Sequence, residues 1–118
     1  MPSLGMHGLY DLSARIIDRE ITIVSPGVFA LGYVDHRRIF VVQHIGRSDT
    51  DLRAELKRWV GQYDRFRFDY MPSSYEAFER ECHLFHDFGE QRILDNEVHP
   101  IRPQGVPWTC PRCTIYNR

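Results

Sequence analysis

Two β-rich runs bracketed by glycine constrain this chain more than any other feature. Val28 to Val34 and Ile39 to Ile45 are dense in aliphatic and aromatic residues, and only Asp35-His36-Arg37-Arg38 separates them. A short polar linker between two such runs predicts an antiparallel hairpin. Ser25-Pro26-Gly27 is a turn signal ahead of the first run, and Gly46 ends the second. The hairpin therefore opens on Gly27-Val28-Phe29 and closes on His44-Ile45-Gly46, each segment carrying an aromatic or titratable side chain at a strand end.

The rest of the chain arranges itself around that hairpin. Ser48 to Asp51 offers helix N-caps, and Leu52, Leu56, Trp59 and Val60 recur on one helical face until Gly61 stops it. Phe66-Arg67-Phe68-Asp69-Tyr70 alternates as a third strand with one buried face. Ser73 followed by Glu76 is a capping box, predicting a helix that runs to about Phe88 with Gly89 as its stop. Before the hairpin, Asp11 or Ser13 caps a short helix through Ile17, and Ile21 to Val24 is a strand candidate. After Gly89 the chain is irregular, apart from a short element near Gln91 to Leu94. Four of its seven prolines lie there. The expected fold class is α+β, a small three-stranded antiparallel sheet flanked by helices. The expected organisation is an N-terminal extension (1–24), a central domain (25–89) and a C-terminal tail (90–118).

At 118 residues the chain is one domain, and its 42% hydrophobic and 26% charged residues are ordinary for a globular protein. No apolar run reaches membrane-spanning length, and the first residues lack the pattern of a signal peptide, so the expected setting is cytoplasmic with no membrane partner. A net charge of −1 argues against a strongly basic nucleic-acid binder but leaves local patches open.

The helix after Ser73 carries an anomaly. Ala77, Leu84 and Phe88 align, with Phe78 and Phe85 beside them, and Glu81 falls inside that apolar arc. A carboxylate facing the core must be paired, hydrogen-bonded or metal-bound. Two readings stand side by side: an ion pair with an arginine such as Arg47 or Arg53, or a functional carboxylate.

The three cysteines are Cys82, Cys110 and Cys113, an odd number that argues against a disulfide framework. Cys110-Pro111-Arg112-Cys113 is a knuckle that aims two thiolates at one metal, and Cys82 and His86 share a helix face at i, i+4. Together they predict a structural zinc site of Cys82, His86, Cys110 and Cys113, with His83 or His99 as alternatives to His86. Such a site would staple the proline-rich tail to the last helix.

Hairpin, basic helix, third strand and a helix with an inward glutamate, in that order, resemble the GIY-YIG nuclease domain over residues 25–88. The resemblance places Phe29 and His44 where that family has tyrosines, Arg47 where a basic residue follows the second motif, and Glu55 where it has an arginine. Trp59 falls near a usual histidine or tyrosine. Glu81 takes the place of the glutamate that binds a divalent metal, Mg or Mn, in an active enzyme. These departures imply a GIY-YIG-like domain with an impaired nuclease site that binds DNA or RNA through Arg47, Arg53, Lys57 and Arg58, with Arg65 and Arg67 nearby. An alternative is an active metal-dependent endonuclease with His44 as base, Arg47 or Arg53 on phosphate and Glu81 on the metal. A further alternative is a zinc-stapled module with a protein partner, using aromatics such as Tyr75, Trp108 and Tyr116.

Overall fold

The protein is described by a computed structural model covering residues 4–116. Its elements run β1 (His7–Asp11), α1 (Ala14–Glu20), β2 (Gly27–Val34), β3 (Phe40–Ser48), α2 (Leu52–Lys57), β4 (Arg65–Tyr70), α3 (Ser74–Asp87) and α4 (Glu90–Ile93). The strands form one antiparallel sheet in the order β1-β4-β2-β3. Four strands replace the expected three because the N-terminal segment supplies β1 beside β4. That segment is thus no separate extension: Ile16, Ile17 and Ile21 sit in the core. Ile21 to Val24 is not a strand. Ile21 is buried but caps α1 through its N–H to the Ile17 carbonyl, and Thr22, Ile23 and Val24 after it are all exposed, without the alternation a half-buried strand needs.

Strand β2 is central, and both of its faces are covered. Phe29 and Leu31 point to one side, where α1 and α2 contribute Ile16, Ile17, Leu52 and Leu56. Val28 and Ala30 point to the other, against Ala77, Leu84 and Phe85 of α3. Two covered faces explain why β2 reads as a continuous apolar run rather than an alternation. The hairpin turn forms as expected. Asp35 Oδ1 accepts from the Arg37 and Ile39 N–H groups, and a β-bulge falls between Leu31 and Gly32.

The helices that frame the site end where their local chemistry dictates. Asp51 accepts from the Ala54 N–H to start α2, which closes at Lys57, short of Gly61. The Ser73 hydroxyl oxygen accepts from the Glu76 N–H to start α3, and Gly89, at φ 102°, takes the left-handed conformation that ends it. Among the described residues no helix is long and apolar enough to cross a membrane.

Candidate functional site

β3 is an outer strand of the sheet, and a cavity of about 310 Å³ opens beside it. Phe29, His44, Gly46 and Trp59 line one side, Arg47, Asp49 and Glu81 another, and residues 96 and 98–101 of the tail cross over it. The strands account for this gathering. Phe29 faces Gly46 in register, and an added Cβ at Gly46 would lie 2.5 Å from the Phe29 ring, so only glycine admits that ring. The two glycine-marked segments are therefore direct neighbours.

Arg47 and Glu81 face each other inside the protein. Arg47 Nη1 donates to Glu81 Oε1 at 2.6 Å, with the two side chains only 8% and 10% exposed. Arg47 Nε donates to Asp49 Oδ1 at 2.8 Å, and Nη2 to the Ile101 carbonyl at 2.7 Å. Of the two readings of Glu81, the ion pair with Arg47 is the one the fold contains. Burial pushes the Glu81 carboxyl up to about 7, against the opposing pull of Arg47. Arg47 is pushed up by Asp49 and Glu81 despite its own burial. The guanidinium is therefore the group that favours the charged form of this carboxylate against the apolar setting.

His44 packs against Trp59 at 4.4 Å between ring centroids, with Phe29 and Tyr63 farther out. Burial pushes its pKa down to about 4, Asp95 opposing, so the imidazole is neutral at pH 7 and weakly basic. Glu55 accepts from Trp59 Nε1 at 3.3 Å and from Arg58 at 3.4 Å.

The structure does not gather the expected basic residues onto one free surface. Arg47 is turned inward. Lys57 meets Asp18 at 2.6 Å and Arg53 meets the same carboxylate at 4.0 Å, while Arg65 pairs with Asp11. Arg67 lies on the α3 face of β4, and its Nε is buried without a hydrogen-bond partner among the described residues.

Where the tail returns to α3, His86, His99, Cys110 and Cys113 each present a donor atom, and these atoms lie within 4.8 Å of one another. His86 Nε2 is 3.5 Å from Cys110 Sγ, and His99 Nε2 is 3.4 Å from Cys113 Sγ. With metal–nitrogen and metal–sulfur bonds of about 2.0 and 2.3 Å, a tetrahedral zinc site has an N···S edge of about 3.5 Å. The other ring nitrogens are also engaged in the manner of metal-binding histidines. His86 Nδ1 meets Glu90 Oε2 at 2.6 Å, and His99 Nδ1 meets the Pro100 carbonyl at 2.8 Å. The Arg112 N–H donates to Cys110 Sγ, a contact that suits a thiolate. The four residues could hold a metal ion, and the donor set is consistent with zinc.

Cys82 is not part of this cluster, contrary to the expected ligand set, and His99 takes its place. Cys82 is fully buried beside Phe78 and Cys110, where burial and the Cys110 sulfur push its thiol well above the ordinary range. His83, the other alternative, is exposed. Trp108 and Tyr116, expected as exposed aromatics, are half-buried against Phe78, leaving Tyr75 the more open of the three.

Sequence reasoning did not reach Asn96, Ile101 or Glu90. Asn96 accepts from the Ile45 N–H at 3.0 Å and donates to the Ile45 carbonyl at 2.7 Å, standing in for a neighbouring strand. Nothing in the local sequence marks an asparagine for that role, and a backbone carbonyl such as that of Ile101 carries no side-chain signal. No family model matches the chain, and neither does any curated protein or solved structure.

Proposed function

We propose that this chain is a GIY-YIG-like domain with an impaired nuclease site, which binds nucleic acid without cutting it and whose tail is stapled by zinc. One observation carries the non-cleaving part: Arg47 occupies Glu81 at 2.6 Å. A divalent cation at that carboxylate would have to displace a buried guanidinium that also serves Asp49 and Ile101. Glu55 at the cavity wall adds negative charge where a phosphoryl transition state calls for positive. Phe29 has no hydroxyl with which to activate water.

For nucleic acid, α2 offers Arg53 and Lys57, and its C-cap offers Arg58. Their partners Asp18 and Glu55 hold them only through solvent-exposed pairs worth about 0–1 kcal/mol each. Such pairs exchange readily for phosphate. Binding through three of these groups gives a slope of log K against log salt of about −2 to −3. A cytoplasmic setting keeps thiols reduced and suits zinc at His86, His99, Cys110 and Cys113.

The second reading, an active endonuclease, draws on the presence of His44 and Glu81 at one cavity. Cleavage of plasmid and single-stranded substrates with Mg²⁺ or Mn²⁺ decides between them. Activity abolished by both Glu81→Ala and His44→Ala sinks the non-cleaving reading. Salt-sensitive binding with no cleavage supports it. No binding at low salt removes the nucleic-acid part and favours a protein partner. Elemental analysis of purified protein tests zinc, and a well-folded metal-free sample ends that assignment.

A further inference from the structure

The metal-competent cluster and the cavity are not independent, because one segment of chain belongs to both. His99 supplies a donor to the cluster and also lines the cavity. Two residues on, the Ile101 carbonyl accepts from Arg47 Nη2 at 2.7 Å. Between them, the Pro100 carbonyl takes His99 Nδ1 and the Tyr116 hydroxyl. At the other end, the Asp95 N–H donates to the Gln43 carbonyl and Asn96 brackets Ile45.

We propose that residues 95–101 form a strap over the Arg47–Glu81 pair, and that metal bound at His86, His99, Cys110 and Cys113 holds the strap shut. This inference rests on the metal reading above and extends it from a staple to a gate. The strap has little else to keep it in place. It contains no helix or strand, and of its residues only Pro100 is buried, while Val98 and Ile101 are exposed. A segment with so few buried contacts and a handful of hydrogen bonds opens at low cost once its cross-link is lost. The metal contributes that cross-link by joining His99 to α3 through His86 and to the knuckle through both cysteines.

With the metal in place, Arg47 is saturated by three acceptors and the cavity is roofed. With the metal gone, Nη2 loses the Ile101 carbonyl, and the cavity opens along β3 to a phosphate-bearing ligand. Access to this site is therefore metal-dependent, although of the four cluster residues His99 alone lines the cavity.

The experiment uses the full chain with Trp108→Phe, so that Trp59 at the cavity wall is the one remaining tryptophan. Zinc-loaded and chelator-stripped protein are compared by acrylamide quenching of Trp59, hydrogen exchange and far-ultraviolet circular dichroism. Stripping should raise the quenching constant about two- to threefold and speed exchange at residues 95–101 and at the Ile45 amide, with β2 still protected. Asn96→Ala should raise quenching with zinc still bound, a readout that does not depend on removing the metal. Unchanged quenching in the stripped protein overturns the gate and leaves the staple standing. Loss of protection across the whole sheet also overturns it, since the strap is then no separate device. Absence of zinc binding overturns gate and staple together.

Discussion

Arg47 satisfies three acceptors with one guanidinium, and its loss has consequences out of proportion to one surface charge. Arg47→Ala leaves Glu81 buried beside an empty volume, and the expected cost is about 3–5 kcal/mol in urea denaturation. Replacing both partners, Arg47→Met with Glu81→Met, should cost far less, because no charge is then stranded. A double mutant as unstable as the single change would show that the ion pair is not the source of the loss. His44 gives a pH signature. Its folded pKa near 4 lies below the ordinary 6.5, so the unfolded chain binds more protons between those values. Stability from this residue is full above pH 6.5 and falls as pH drops towards 4. The expected loss is about 2 kcal/mol after allowing for partial solvent screening. His44→Phe should flatten that limb of the stability profile, and an unaltered slope would assign it elsewhere. The need for a cation at Glu81 was legible in the sequence, because a carboxylate in an apolar helical arc demands a partner. The sequence narrowed an arginine partner to Arg47 or Arg53, and the choice between them depends on Val28 pairing with Arg47 across the sheet.

Gly46 shows how two elements are locked in register. The Phe29 ring occupies the space where a side chain at Gly46 would stand, so β2 and β3 mesh at one position only. Gly46→Ala should cost about 1–3 kcal/mol by forcing that ring aside, and Phe29→Ala in the same chain should recover part of it. Additive losses in a thermodynamic cycle would contradict this mesh. Hairpin, α3 and its serine cap were readable because each rests on local chemistry: period, turn residues and a cap. β1 was not. His7–Asp11 pairs irregularly with β4, and Gly8 is there because the Arg67 stem lies 2.9 Å from where its Cβ would be. That is a long-range packing constraint with no local pattern. The residues of the metal-competent cluster divide the same way. The C-x-x-C knuckle is local and was found, whereas the choice of His99 over Cys82 was settled by how the tail folds back.

At the scale of the molecule, the Cα radius of gyration of 13.9 Å is close to the roughly 13.5 Å expected for a compact domain of this length. The irregular tail is thus laid against the body rather than trailing from it, held by Asn96, Arg47, the Tyr116 hydroxyl and the Cys/His cluster. Its placement has a consequence for how copies of this chain meet one another. β3 is an outer strand, and its peptide groups at Gln43 and Ile45 are capped by Asp95 and Asn96. Remove that cover and a row of unpaired donors and acceptors faces outward, a template on which a second chain can extend the sheet. Chain truncated after Leu94 should self-associate with rising concentration in light scattering, while the full chain at the same concentrations should not. A truncated chain that stays monomeric would show that the edge is protected by something other than the tail. A segment with no strand of its own thus covers the edge on which a second copy would otherwise pair.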